Sequence, residues 1–476
     1  MALRTAQQYK QSLRDGRCVF FRGQRVDDVT RHPVISIAVD HAALEYTMPI
    51  DKRFRELLVA EEDGELYNRC YKIPRDAADL RKRSELIAAI TREGGSYPVL
   101  LKEIGTEALF ALHMTGELLA ASGKPHYLER VRRFYSWSRD NDLALAVAQT
   151  DVKGDRSLGP RMQEHPDYYV RVVEERPGGI VVRGAKVHTS LSTNANELIV
   201  LPTRAMRPGD EPYAICFAIP LDTPGLKLIA SPHGSEPKNP IEHPISGRRK
   251  MMETLTVFDD VFVPHERVFL NGEVELAGRI AINFVRFHRF TAVSYKLPLL
   301  ELIAGAGWAI AQANGIGGAG HVRDKLTQLA AYHTVAHGLL QRAADTCTVE
   351  QGIAVPNTLL VNVAKYHFAH NYHHAVQILQ DLAGGILVTA PAAEDLSCEA
   401  TSHYVKRFLG GRRDIDVDER IRLLYLISDM TASDYGGYQE VLAVHAEGGF
   451  EAEKLQTFRE YDFARVGAYA RRLAGI

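Results

Sequence analysis

Residues Ala148–Ser157 read AQTDVKGDRS, and the pattern of the chain changes across them. Upstream the apolar residues recur with helical spacing. Leu80, Leu86, Ile87 and Ile90 fall near one face of Asp79–Thr91, and Leu109, Phe110, Leu112, Leu118 and Leu119 do so in Gly105–Ala121. Tyr127–Asp142 continues the helical register. Downstream, Tyr168–Glu175, the turn Arg176-Pro177-Gly178-Gly179 and Ile180–Val182 read as strand, turn and strand. Glu197–Leu201, Tyr213–Ile219, Leu226–Ala230 and Leu255–Phe258 are further short β-type runs. From about Val274 the chain is helical again, with long alanine-rich periods over Leu297–Asn314, Val322–Val349 and Asn357–Leu382. The expected class is α+β, in three parts: a helical domain over 1–145, a β-barrel or sandwich over 146–272, and a helical bundle over 273–476.

Composition narrows the function classes. A chain of 476 residues with 46% hydrophobic and 24% charged residues can bury a large core. Its formal net charge of −2, with the two signs interspersed, argues against a nucleic-acid or membrane-surface partner. The N-terminus lacks the apolar core of a signal peptide, and no window has the roughly 18 uncharged apolar residues of a membrane span. Cys18, Cys70, Cys216, Cys347 and Cys398 are scattered and odd in number, as expected of reduced thiols in a cytoplasmic protein. There is no internal repeat.

Two segments carry chemistry. In Ala148–Ser157 a glycine lets backbone N–H groups approach a ligand, and Thr150 and Ser157 add donors. Gly184–Asn196 (GAKVHTSLSTNAN) gathers His188, Thr189, Ser190, Ser192, Thr193, Asn194 and Asn196 after a strand, a cluster able to hold the polar edge of a flavin ring. Taken alone, the first is equally compatible with a charged surface turn and the second with a hydrogen-bonded turn. No G-x-G-x-x-G follows a strand-type run, so no built-in NAD(P)H site is expected. His367, His370, His373 and His374 share a helical spacing, but no Cys, Asp or Glu interleaves them before Asp381; no metal site is expected there.

In their order and separation the two segments resemble those of the 4-hydroxyphenylacetate 3-hydroxylase / 4-hydroxybutyryl-CoA dehydratase superfamily. TAQQYKQSLRDGR at the start, RVDDVTRHPVI, VFDDVFVPHERVFL (257–270), RFHRFTAVSYK (286–296), HVRDKL (321–326) and DLAGGILVT (381–389) extend the resemblance over nearly the whole chain. It implies an acyl-CoA-dehydrogenase-like fold, bound FAD (or FADH2 as co-substrate) and a homotetramer in which neighbouring subunits complete the flavin site. Carried across, the flavin-binding residues are Gln149, Thr150, Asp151, Gly154, Asp155 and Arg156, then His188, Thr189 and Ser190, with Ala383, Gly384 and Gly385 as a small-residue turn near the cofactor.

The departures are as informative. The dehydratase branch holds a four-iron cluster on three cysteines and a histidine. His288 matches that histidine, but Tyr295 stands where a cysteine is expected, and the paired N-terminal cysteines fall near Val99 and Glu103. Without those thiolates no iron–sulfur cluster is expected. The histidine that the hydroxylase branch carries before its first flavin loop falls close to Val147. What remains at the cleft positions is His288 as general acid or base, Glu253 as its partner and Lys296 as an anion stabiliser; His288 and Lys296, eight apart, lie close to one helical face. The functional expectation is an FAD-dependent oxidoreductase acting on a small molecule, foremost a reduced-flavin monooxygenase served by a separate reductase. The alternative is a cluster-free dehydratase or isomerase of an acyl thioester.

Overall fold

Pro177 and Gly178, with Gly178 at φ +85°, close a two-residue turn between strands that pair Arg176 with Gly179. In the computed structural model, which describes residues 3–234 and 236–476, this hairpin edges the larger of two open sheets. The strands of the described residues are β1 (Val19–Phe21), β2 (Gln24–Val26), β3 (Val59–Glu62), β4 (Glu65–Asn68), β5 (Leu145–Ala148), β6 (Arg171–Arg176), β7 (Gly179–Ser190), β8 (Glu197–Val200), β9 (Ile215–Pro220), β10 (Leu226–Ala230), β11 (Glu253–Pro264), β12 (Val268–Asn271), and a late pair β13 (Thr348–Glu350) and β14 (Ile353–Val355). Six of them run in the order β2-β1-β10-β11-β7-β6, and four in the order β12-β9-β8-β5. The barrel half of the sequence expectation is therefore corrected: β2 and β6 end the larger sheet unpaired with each other, so it does not close. The two sheets meet through Phe217 of β9 and Phe258 of β11, whose rings cross edge-on at 5.8 Å.

The N-terminal stretch is not purely helical. It contains β1–β4, of which β3 and β4 form a hairpin over Asp63-Gly64, both with positive φ. That dipeptide is a strong hairpin signal, set among helical runs. β1 pairs in parallel with β10, Val19 opposite Leu228, a contact more than 200 residues apart in sequence that no local pattern announces.

The helices fall where the periodicity places them: Ala77–Glu93, Glu103–Ala121, Pro125–Asp140, Val274–Ala313, Gly320–Asp345 and Thr358–Ala383. Packing divides the chain into two compact units. The first holds residues 1–75, 82–288 and 350–353, and the second 76–81, 289–349 and 354–476. In the first, Leu109, Leu112, Val131 and Phe134 share one core with Leu145, Ile199, Ala218, Ile280 and Phe284, which ties helices to the smaller sheet. Gly105 is required at that junction, because a Cβ there would lie 2.1 Å from the Leu145 Cβ. In the second, Ile421 and Tyr425 pack with Ala393 and Val405.

The first unit buries a neutral imidazole. His41 is 1% exposed; its Nδ1 lies 3.0 Å from the Lys250 carbonyl oxygen, and its ring stands edge-on to Tyr97. Burial pushes its pKa down to about 4. The unfolded chain takes up this proton below about pH 6.5 and the folded chain does not, so the stability from neutral burial is complete above that pH and is lost as pH falls towards 4. Between pH 7 and 5 the loss is expected to be about 2 kcal/mol, at 1.36 kcal/mol per unit. Urea midpoints at the two pH values check it, and His41→Phe should flatten the difference; an unchanged slope in that variant would remove His41 from the account.

Candidate active site

The loop after β5 is anchored before it is exposed. Asp151 is buried and forms an ion pair with Lys186 of β7 at 2.7 Å. It also accepts the Val170 N–H at 3.2 Å and lies 2.5 Å from the Thr203 hydroxyl. Lys186 gives its other two N–H bonds to the carbonyls of Gln149 and Leu201, both at 2.8 Å. The side chain of Asp151 is thus committed to the scaffold, while Thr150, Gly154, Asp155 and Arg156 follow on partly or fully exposed backbone. Gly154 has φ +55°, and a Cβ there would meet Gln163 Oε1 at 2.3 Å and the Tyr168 ring at 2.4 Å. Asp155 turns the loop back by accepting the N–H and the hydroxyl of Ser157.

The first part of the polar run, through Ser190, belongs to the strand itself, and Leu191–Asn194 is a hydrogen-bonded turn after it. β7 continues to Ser190, and its pairing with β11 slips between Thr254 and Thr256, opposite Thr189 and Lys186. The extra residue puts His188 at φ +55°, exposed, a bulge of the kind that re-aims side chains beside sites. Thr189 is buried and its hydroxyl has no hydrogen-bond partner. Such an orphaned hydroxyl fits a ligand that brings its own polar edge, as FAD does. Ser190 donates to both carboxylate oxygens of Glu253, at 2.9 and 3.0 Å. Further on, Thr193 and Ala195 carbonyls receive Arg17, the Asn194 carbonyl receives the Tyr9 hydroxyl, and Asn196 bonds Arg4, Ser12 and Ala144. That end of the run serves the fold.

His288 stacks on Phe284 one turn earlier in its helix, with ring centroids 4.9 Å apart. Its Nδ1 is 2.8 Å from Glu107 Oε2, and its Nε2 has no partner among the described residues. The partner expected from sequence was Glu253; the helix Glu103–Ala121 supplies Glu107 instead, while Glu253 pairs with Ser190. Glu107 is fully buried, and its Oε1 lies 3.5 Å from Arg83, whose guanidinium also bonds the carbonyls of Cys70 and Glu103 and the Thr106 hydroxyl. Arg83, Glu107 and His288 make a cation–carboxylate–imidazole relay. Sequence reading missed Glu107, although an acid within the apolar run Ile104–Leu119 signals a buried, partnered carboxylate.

In the second unit Lys296 is buried, with Nζ 2.7 Å from Glu447 Oε2 and 2.8 Å from the Tyr295 hydroxyl, which itself bonds Glu447. Burial, with Lys365 nearby, holds its pKa well below the usual amine range. Glu447 already answers its charge. Ala383 ends its helix, Gly384 follows at φ +77°, and Gly384 and Gly385 are exposed with open space where a Cβ would stand. The four histidines spread apart: His374 bonds Gln328, His370 stacks on Tyr366 and His367 meets Tyr332. Gly315–Gly320 has the G-x-G-x-x-G spacing but joins two helices, not a strand to a helix. Among the described residues no helix is long and apolar enough to cross a membrane.

Over 98% of its length the chain is 26% identical to the FADH(2)-dependent monooxygenase TftD of Burkholderia cepacia, which places it in the class of flavin-dependent oxidoreductases. The chain belongs to the 4-hydroxyphenylacetate 3-hydroxylase family, residues 5–270 matching its N-terminal part and 277–475 its C-terminal part. It is 30% identical to the oxygenase component of 4-hydroxyphenylacetate 3-monooxygenase of Thermus thermophilus, over 89% of this chain and 87% of that one. It is 28% identical to 4-hydroxybutyryl-CoA dehydratase/vinylacetyl-CoA-Delta-isomerase of Clostridium aminobutyricum, covering 100% of both. The crystal structure of the oxygenase component of 4-hydroxyphenylacetate 3-monooxygenase complexed with FAD superposes with a TM-score of 0.91 at 27% identity, over 99% of this chain and 98% of that one.

Proposed function

We propose that the chain is the oxygenase component of a two-component flavin-dependent monooxygenase, using reduced FAD from a separate reductase on a small organic or aromatic substrate. The family match over both halves of the chain carries this reading. Gln149–Arg156, His188–Ser190 and Ala383–Gly385 would hold the flavin, Asp151 through the loop it anchors and Thr189 through its free hydroxyl. When bound there, reduced FAD would supply the two electrons needed to activate O2, so that one oxygen atom could pass to the substrate and the other leave as water. His288 exchanges a proton with the substrate at Nε2 while Glu107 fixes the Nδ1–H and steadies the imidazolium. Lys296 positions Tyr295 through Glu447, and Glu253 positions Ser190. The reading extends to an acyl-CoA-dehydrogenase-like arrangement of the three sequence parts and to a homotetramer; a flavin-competent monomer at micromolar concentration in light scattering would contradict the tetramer.

The full-length likeness to the dehydratase supports a second reading, a cluster-free dehydratase or isomerase. Oxygen uptake separates the two. With a flavin reductase, NADH and 4-hydroxyphenylacetate as first probe, uptake should follow product in step; conversion of 4-hydroxybutyryl-CoA without oxygen would establish the second reading. Neither route draws on an iron–sulfur cluster, since Tyr295 and Glu103 stand where thiolates would be needed. Protein purified anaerobically is expected to contain FAD and no acid-labile sulfide, and stoichiometric cluster iron would refute this.

A further inference from the structure

Three segments of the first unit bring ligand atoms together away from the flavin segments. Glu45 comes from the short helix Leu44–Thr47, Cys70 from the turn Arg69–Tyr71, and Glu103 from the first position of its helix. Their side-chain oxygen and sulfur atoms lie within 4.8 Å of one another, and each residue is 1% exposed. The far oxygens are already held: Glu45 Oε1 by the Leu101 N–H at 2.6 Å, and Glu103 Oε2 by the Lys102 N–H at 3.2 Å. Glu45 Oε2 is buried with no hydrogen-bond partner. Cys70 Sγ lies 3.5 Å from Glu103 Oε1.

The local charge does not balance. Lys102 is taken by Asp142 at 2.8 Å, and Arg83 by Glu107. Among the described residues neither Glu45 nor Glu103 has an ion-pair partner. Lys102 and Arg83 act on the cluster only from their places beside Asp142 and Glu107, so two adjacent buried carboxylates and a thiol without a cation of their own must either keep their protons or bind a positive ion. A thiolate in the set selects a borderline or soft ion over Mg2+ or Ca2+. The spacing agrees: a tetrahedral ion with Zn–S of about 2.3 Å and Zn–O of about 2.1 Å separates sulfur from oxygen by about 3.6 Å.

We infer that Glu45, Cys70 and Glu103 form a mononuclear site for a divalent transition metal of the Zn2+ class, with a fourth position for water. The set shares only Glu103 with the cluster positions of the dehydratase branch and takes its thiolate from a different segment. By bridging three segments the ion cross-links the N-terminal part of the fold. Without metal, burial and the neighbouring carboxylate push the pKa of both Glu45 and Cys70 up, which favours the protonated forms. Binding therefore displaces protons.

The test uses the FAD-loaded protein, stripped by chelator dialysis and then given Zn2+ alone. After desalting it should retain one zinc per chain, with an X-ray absorption signature of one sulfur at about 2.3 Å and oxygens at about 2.0–2.2 Å. Calorimetry in buffers of different ionisation enthalpy should show more than one proton released per zinc. Glu45→Gln keeps the acceptor for Leu101 and should weaken binding by more than about 10²-fold, since even outer-shell losses cost 10–100-fold. Cys398→Ser, at an exposed thiol, should change nothing. Wild-type protein that retains no zinc overturns the site, as does retained zinc lacking a sulfur neighbour or equal retention by Glu45→Gln. The wild-type measurements decide even if a variant fails to fold.

Discussion

His288→Ala is expected to lower turnover by about 10²–10⁴-fold while FAD occupancy stays near wild type, the range typical of a lost general acid or base. The expectation rests on geometry. The imidazole is fixed on one side by Glu107 at 2.8 Å, is backed by Phe284, and has its second nitrogen unpartnered among the described residues. A carboxylate on Nδ1 selects the tautomer with its proton there, leaving Nε2 to take up a proton from substrate. Glu107→Gln preserves a hydrogen-bond acceptor but removes the charge that stabilises the imidazolium. It should therefore fall between wild type and His288→Ala in rate. Rate per bound flavin, flavin content and melting temperature on the same preparations separate this from a packing role. A His288→Ala protein destabilised by about 1–3 kcal/mol but fully active per flavin would make the residue structural.

What could be read from sequence was what is local. The helix Ala77–Glu93 was visible in Leu80, Leu86, Ile87 and Ile90, and the β6–β7 turn in Pro177-Gly178, because each pattern is complete within a few residues. β1 was invisible for the opposite reason: three residues hold it against β10 through pairing that only the folded chain supplies. The same division runs through the site. His288 could be nominated from a motif, but its partner could not, since Glu107 lies 181 positions away on another helix. In Gly184–Asn196 the strand followed by a polar turn is legible, but only the register slip opposite Thr254 and Thr256 shows that His188 is pushed out by a bulge. Asp151 can be nominated from the loop motif, but the three partners that make it the foundation of that loop lie 19 to 52 positions away and are not.

That role gives the largest expected stability effect. Lys186 has three N–H donors, and Asp151 at 2.7 Å, Gln149 O and Leu201 O use all of them. Burial alone lowers the lysine's pKa, and the adjacent carboxylate opposes the shift. Lys186→Met fills a similar volume but strands a buried carboxylate and two carbonyl oxygens. Breaking one side of such a pair costs about 3–5 kcal/mol, a large part of the roughly 5–15 kcal/mol that a folded domain commands. Asp151→Asn should cost less, because the amide oxygen still accepts from Lys186 and Val170. The double variant Asp151→Asn/Lys186→Met should recover part of the Lys186→Met loss, since no bare buried charge remains. If Gln149–Arg156 holds the flavin as proposed, flavin retention should fall in the same order as stability. Chemical denaturation and flavin fluorescence on the three variants test both points. A Lys186→Met protein within about 1 kcal/mol of wild type would mean that the pair does not hold the loop.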